Sequence, residues 1–261
     1  MDFVRIGKGR LKIIVFHGWM SSSGRYLQLA EDLVVNYDCE VTLYNIPGFG
    51  GNKAIETEDN LIVAIVEQIS KTINIHDYQV LIGHSFGSNL ILRMIENSNK
   101  EFDGKIILTN PAYLGIDRLK HISLLWPFNT FVLKFLQRML GFVAQFFVKV
   151  GALLTINDWG KIDDIIVEDA LKADSKMAAK VIKEIANDRW QVSKPSLFKN
   201  VTIILGEKDR IIAYEKVKQL GEKLNCEIKI IPKIGHTPIV EAYLEYKEMI
   251  VQSIGLNDKK E

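Results

Sequence analysis

The chain has 261 residues, of which 48% are hydrophobic and 25% are charged. This length suits one large domain, or one domain that carries an insertion, and the apolar share is enough for a sizeable core, which excludes a disordered chain. The 33 Lys and Arg residues nearly balance the 32 Asp and Glu residues. The net charge of +1 argues against a nucleic-acid-binding protein, because such domains usually carry a basic excess.

Short apolar runs rich in β-branched residues predict the buried strands of a parallel sheet. In chain order they cover residues 11–16, 40–44, 79–82, 105–109, 201–205 and 227–231, and residues 3–6 are expected to add an antiparallel edge. Helical periodicity separates most of them, at residues 26–35, 60–73, 86–95, 214–224 and 239–250. This alternation predicts an α/β fold with a doubly wound, mostly parallel sheet.

The alternation fails between residues 112 and 196, where no convincing strand is found. Such a stretch is too long for an ordinary connection, so it predicts a helical cap inserted into a core formed by residues 1–111 and 197–261. Its aromatic residues are expected mainly to pack, with a subset lining a substrate pocket; the candidates for the pocket are Trp126, Phe131, Phe135 and Phe142. The alternative is a cap face that touches a membrane, since Lys134, Arg138, Gln145 and Lys149 fall on one helical face.

Targeting signals and metal motifs are not evident. No apolar stretch of a secretory signal follows the first residues, and charged residues cut the apolar region 121–154 into runs too short for a spanning helix. We therefore expect a cytoplasmic protein. The two cysteines, Cys39 and Cys226, lack zinc-site spacing and are expected to be free thiols.

The most informative motif is Gly83-His84-Ser85-Phe86-Gly87, which joins a buried strand to a helix. Glycines on both sides of the serine permit a very sharp turn, which raises the Ser85 hydroxyl above the sheet at a helix N-terminus. The alternative is a glycine-rich turn with a capping serine, but a cap requires neither glycine. The motif therefore predicts a nucleophilic serine.

A serine nucleophile requires a base, and the base requires an orienting acid. The candidate base is His236. Of the five histidines, it lies in a loop between the last strand and the last helix, at the sheet edge where α/β proteins bind ligands. Glu207 and Asp209 both follow the strand 201–205, and Asp209 is preferred because it lies further along the loop. His17 is expected to be structural.

The oxyanion of a tetrahedral intermediate requires two hydrogen-bond donors. The backbone N–H of Phe86, directly after the nucleophile, is one candidate. The backbone N–H of Trp19, in the loop after the strand 11–16, is the other.

These motifs resemble those of the α/β-hydrolase fold enzymes over most of the chain. The order Ser85, Asp209, His236 and the loop Ile46-Pro-Gly-Phe-Gly50 match that family. The resemblance implies an eight-stranded sheet with a helical cap after the sixth strand, 105–109, and implies no metal or cofactor. A serine at the nucleophile position excludes the relatives that use a carboxylate nucleophile.

The expected activity is that of a serine hydrolase that cleaves a carboxylic ester of an apolar acyl or aromatic substrate through an acyl-enzyme. The same triad would serve a thioesterase, a monoacylglycerol lipase, a carbon–carbon bond hydrolase or an acyltransferase. A non-catalytic receptor on this fold is the alternative of another class. The expected partner is a small-molecule ester or thioester, with no nucleic acid, and the protein is expected to be a monomer or homodimer.

Overall fold

The computed structural model describes residues 2–57, 59–116, 152, 156, 159–161 and 164–256. Within them one sheet contains seven strands: β1 Phe3–Gly7, β2 Leu11–Phe16, β3 Cys39–Tyr44, β4 Val80–His84, β5 Lys105–Thr109, β6 Val201–Gly206 and β7 Glu227–Ile231. The predicted strands are confirmed, and β1 is the antiparallel edge. The described residues form seven strands and not the eight that the resemblance implied, so Lys105–Thr109 is the fifth strand here.

Eight α-helices occur in the described residues: α1 Leu27–Asn36, α2 Leu61–Thr72, α3 Phe86–Ser98, α4 Asp164–Lys172, α5 Ser175–Asn187, α6 Tyr214–Leu224, α7 Pro238–Glu241 and α8 Tyr243–Ile254. The helical stretch predicted over residues 239–250 is confirmed apart from one break. Ala242, with φ −148° and ψ 60°, interrupts the helical backbone between α7 and α8. In this described part of the chain, every helix is too short or too polar to span a bilayer.

Successive side chains of each strand point to opposite sides of the sheet, and both faces are buried along the five central strands, β2 to β6. On β2, Ile14 and Phe16 belong to the cluster that packs with α2, α3 and α6. Ile13 and Val15 face the other cluster, formed with α1 and α8. Burial on both faces explains why these central strands are mostly apolar and do not show an alternation of apolar and polar residues.

The strand order β1-β3-β2-β4-β5-β6-β7 contains a change of direction. From β2 the chain proceeds outward to β3, and then returns to form β4 on the other side of β2. The strands from β2 to β7 are parallel, so their carboxyl ends share one edge. A crevice is expected at that edge between β2 and β4, where ligands of open α/β sheets bind.

Two helices of the predicted insertion, α4 and α5, contact loops at this edge. The Glu184 carboxylate on α5 accepts hydrogen bonds from the backbone N–H groups of Leu61 and Ile62 at the start of α2. On α4, Asp169 forms a buried ion pair of 2.8 Å with Arg25. The helices α4 and α5 are therefore bonded to the segments that follow β2 and β3. The division into core (1–111 and 197–261) and cap (112–196) stays a prediction.

Candidate active site

The turn between β4 and α3 has the geometry that the motif predicted. Ser85 has φ 51° and ψ −109°, a strained conformation for a residue with a side chain. A Cβ atom on Gly83 would lie 2.7 Å from the Cα of Ser88, and one on Gly87 would lie 2.2 Å from the carbonyl oxygen of Phe16. Both glycines are thus required for the backbone to turn back against β2, and Ser85 is held at the sheet edge.

The helix that follows the serine presents a free donor. The backbone N–H of Phe86, at the first position of α3, has no hydrogen-bond acceptor among the described residues. It lies at the positive end of the helix dipole. This N–H group is one of the two predicted for the oxyanion.

The loop after β2 packs directly against the serine. A Cβ on Gly18 would lie 3.4 Å from the Cβ of Ser85 and 2.8 Å from Nδ1 of His84, so only glycine allows this approach. The next residue, Trp19, donates its indole N–H to the carbonyl of Ala178 on α5, at 3.0 Å. The second predicted oxyanion residue is therefore adjacent to the elbow and linked through its side chain to the insertion.

His17 holds this loop in place. Its Nε2 accepts a hydrogen bond from the backbone N–H of Ile46 at 3.1 Å, so Nδ1 carries the proton and donates to the carbonyl of Gly18 at 2.8 Å. Burial lowers the pKa of His17 to about 4, which keeps the imidazole neutral. The prediction that His17 is structural agrees with these contacts.

The candidate acid, Asp209, and the candidate base, His236, are in direct contact. Nδ1 of His236 lies 2.7 Å from Oδ2 of Asp209, and both side chains are buried. Glu207, the rejected alternative, accepts the backbone N–H of Lys233 on the far side of the loop. The preference for Asp209 over Glu207 is consistent with these contacts.

Several donors stabilise the charge of Asp209. Its Oδ1 accepts the backbone N–H groups of Ile211 at 2.7 Å and Ile212 at 2.9 Å. Burial acts to raise the pKa of Asp209, but the charge and hydrogen bond of His236, together with these two backbone donors, hold the pKa below its ordinary value. The carboxylate is therefore kept ionised opposite the imidazole.

Close backbone contact brings the two loops together. A Cβ on Gly206, at the end of β6, would lie 2.0 Å from the carbonyl oxygen of Gly235. The backbone N–H of Lys208 donates to the carbonyl of Ile234 at 2.8 Å. The loop with the acid and the loop with the base are thus adjoining segments, although they are distant in sequence.

His84 connects the elbow to the base loop. Its Nε2–H donates to the backbone carbonyl of His236 at 2.8 Å, and the two imidazole rings are 5.1 Å apart. Burial, followed by the charge of His236, lowers the pKa of His84 to about 3. The residue before the nucleophile therefore holds the backbone of the candidate base.

The Ser85 hydroxyl forms no hydrogen bond with another described residue.

The sequence analysis gave no role to two further residues at the site. Asn110, which directly follows β5, donates its side-chain amide to Oδ2 of Asp209. The Glu241 carboxylate accepts the N–H groups of Gly235 and Thr237, on either side of His236. Asn110 was detectable in principle, because it follows a strand whose carboxyl end lies at the site edge.

The pocket candidates Trp126, Phe131, Phe135 and Phe142 lie outside the described residues. From the insertion, the described residue Met177 on α5 packs against Gly48. In the described ranges, no three His, Cys, Asp or Glu side chains are grouped so that they would hold a metal ion.

Comparisons with known proteins agree with this fold. The sequence profile of a hydrolase family described as serine aminopeptidase, S33, matches residues 7–242. A comparison with curated protein sequences gave no significant match.

Solved structures with the same fold include several hydrolases. An esterase from Exiguobacterium antarcticum has 14% identity and a TM-score of 0.76, with coverage of 97% of this chain and 95% of the esterase. A thermophilic esterase from Thermogutta terrifontis has 18% identity and a TM-score of 0.69, covering 96% and 91%. A monoacylglycerol lipase from Paleococcus ferrophilus has 18% identity and a TM-score of 0.66, covering 97% and 98%.

Proposed function

Since the chain belongs to the serine aminopeptidase S33 family of hydrolases, with the α/β-hydrolase fold, we propose that it is a serine hydrolase that cleaves carboxylic esters through an acyl-enzyme. Ser85 is the nucleophile, His236 the general base and Asp209 the orienting acid. The observation that carries the proposal is the buried Asp209–His236 hydrogen bond of 2.7 Å at the edge where the strained Ser85 turn projects.

The hydrogen bond to Asp209 determines which nitrogen of His236 can act as the base. An ionised carboxylate only accepts, so Nδ1 of His236 carries the proton and donates it. In the neutral imidazole Nε2 is then unprotonated and able to accept the proton of the Ser85 hydroxyl. The proposed reaction requires the hydroxyl and Nε2 to come within hydrogen-bonding distance when substrate binds.

The reaction proceeds in two halves. Ser85 Oγ forms a bond to the acyl carbon as its proton moves to Nε2 of His236. The bond to the leaving alcohol then breaks, and the alcohol takes that proton. Water, deprotonated by His236, attacks the acyl-enzyme, releases the carboxylic acid and restores the Ser85 hydroxyl.

Two backbone donors stabilise the oxyanion in this proposal. The N–H of Phe86 is supported by its position at the start of α3 and by its lack of an acceptor among the described residues. The N–H of Trp19 is supported by the contact of the preceding Gly18 with Ser85. Donors of this kind act because they are oriented before charge develops.

The proposed substrate class follows from the composition of the insertion. The region 112–196 is rich in aromatic residues, among them Trp126, Phe131, Phe135 and Phe142, and this composition suits a substrate with an acyl chain or an aromatic group. A series of nitrophenyl esters of increasing acyl length tests this. We expect turnover to rise from acetate to medium chains, and a preference for acetate over all longer esters would contradict the apolar pocket.

Removal of the nucleophile tests the mechanism. We expect Ser85→Ala to lower kcat on an ester by roughly three orders of magnitude or more, and to abolish labelling by a fluorophosphonate probe. Ser98→Ala removes a hydroxyl from the other end of the same helix and serves as the matched control, with activity close to that of the parent. Parent-like activity of Ser85→Ala would exclude the mechanism.

A second candidate is hydrolysis of a peptide bond at an amino terminus, which the family description favours. The same triad would perform it, with an amine as the leaving group. Parallel assays on aminoacyl nitroanilides and on nitrophenyl esters discriminate the two. Turnover of the anilides alone would replace the ester proposal. Thioesters, added to the same panel, test the thioesterase alternative.

A further inference from the structure

Asn110 occupies a special position at the sheet edge. It follows β5 directly, it is fully buried, and its φ of 44° lies in the left-handed region that asparagine tolerates better than most residues. Its backbone N–H donates to the carbonyl of Ile204 at 2.9 Å. The backbone therefore directs the amide toward the loops that follow β6 and β7.

The contacts of the Asn110 amide determine its orientation. Oδ1 accepts the backbone N–H of Gly206 at 3.3 Å, while Nδ2 donates to Oδ2 of Asp209 and, at 3.4 Å, to the carbonyl of Gly235. A flipped amide would turn an oxygen toward a carboxylate and a carbonyl, and an NH2 toward an N–H group. Only the observed orientation satisfies all three groups.

The carboxylate oxygen that receives this amide is also the one that pairs with His236. Oδ2 of Asp209 accepts both Nδ2 of Asn110 and Nδ1 of His236, whereas Oδ1 is held by backbone N–H groups. Asn110 thus restrains the rotation of the carboxylate from the strand side and simultaneously contacts the residue before His236.

We propose that Asn110 is a positioning residue that aligns Asp209 with His236 for the hydrolytic reaction. It touches no reacting atom; it acts by keeping Oδ2 in line with the imidazole and by joining the acid and base loops. This inference rests on the proposed function of the triad. Loss of alignment affects the rate of proton transfer and not the binding of an ester, so kcat and KM respond differently.

Asn110→Gly is the principal test, because glycine adopts positive φ without strain and removes only the amide. We expect kcat on a nitrophenyl ester to fall about 10- to 100-fold with KM nearly unchanged. The downfield proton resonance of the His236 Nδ1–H group, measured by NMR, is expected to shift or broaden. Asn225→Gly, another asparagine at positive φ, is the matched control and is expected to change neither.

Each outcome of this experiment either supports or overturns the inference about Asn110. Parent values of kcat and of the proton resonance in Asn110→Gly would overturn the inference, whereas a raised KM at unchanged kcat would indicate a role in substrate binding. Should Asn110→Gly not fold, Asn110→Ala removes the same amide donor and keeps a Cβ, and parent-like kcat there would overturn the inference equally. Fluorophosphonate labelling separates the proposal of the triad from the proposal for Asn110. Labelling that persists in Ser85→Ala refutes the triad. If labelling is lost in Ser85→Ala but proceeds at the parent rate in Asn110→Gly, only the role of Asn110 is refuted.

Discussion

The nucleophile turn and the acid–base pair reach the same edge of the sheet by different means. Ser85 belongs to one continuous unit, β4 and α3, and its position depends on backbone contacts such as the 2.8 Å hydrogen bond from its N–H to the carbonyl of Thr109. Asp209 and His236 lie on separate loops and are joined through side chains. The first arrangement is built on one continuous segment that neighbouring strands contact, and the second joins two separate segments that only the completed sheet brings together.

This difference indicates how each part fails. A substitution in the turn forces the backbone against β2, so the expected damage is to folding stability. A substitution in the pair removes a hydrogen bond while the surrounding chain keeps its path, so the expected damage is to catalysis. Four predictions test this contrast.

The largest effect is expected from Asp209→Asn. An amide at this position donates toward Nδ1 of His236 and favours the wrong tautomer, so we expect kcat to fall by roughly 10³- to 10⁴-fold. The melting temperature is expected to change little. Glu207→Gln, in the same loop, is the matched control, because the Glu207 carboxylate accepts the N–H of Lys233 in an exposed turn. A loss of less than tenfold in Asp209→Asn would show that another group orients the base.

The turn is expected to fail by unfolding. Alanine at Gly87 would place Cβ 2.2 Å from the carbonyl oxygen of Phe16, which is part of a central strand. We expect Gly87→Ala to lower the free energy of unfolding by about 3 kcal/mol or more, measured by urea denaturation. Gly24→Ala, where the nearest atom is the side-chain oxygen of Ser22 at 3.3 Å, is expected to cost far less. Equal effects of the two substitutions would contradict the packing argument.

The loop after β2 provides a pH-dependent test. The pKa of His17 is about 4 in the folded protein, below the usual value of about 6.5, because the ring is buried. As pH falls from about 6.5 to about 4, His17 binds a proton in the unfolded chain but not in the folded chain, so the folded state becomes less stable. We expect the parent to lose about 2 kcal/mol more than His17→Gln between roughly pH 7.5 and pH 5. Parallel pH curves for both proteins would refute this.

The smallest effect concerns the strain at the nucleophile itself. Ser85→Ala keeps a Cβ at φ 51°, whereas Ser85→Gly removes it. We expect the glycine variant to be more stable than the alanine variant by roughly 1 kcal/mol, because relief of strain exceeds the entropic cost of glycine. Thermal unfolding of both inactive variants provides the measurement, and a glycine variant less stable than the alanine variant would show that the turn is unstrained.

Local patterns were sufficient for most of the fold. The apolar runs at 11–16, 105–109 and 227–231 coincide with β2, β5 and β7. The helical stretch predicted over 239–250 is divided into two helices at Ala242, because periodicity does not register one residue with a non-helical backbone. Whether 112–196 forms a cap stays a prediction, since most of its aromatic residues lie outside the described residues.

The sequence by itself determined the nucleophile turn, because a strand, two glycines, a serine and a helix are contiguous in the chain. It also led to Asp209 as the predicted acid and His236 as the predicted base, because both follow strands of the predicted sheet. Only the tertiary structure decided that Asp209 and not Glu207 faces His236, that His84 holds the base loop, and that Asn110 shares the oxygen of Asp209. The physical reason is that these hydrogen bonds join residues from different strand ends, whose proximity arises only when the parallel sheet is assembled.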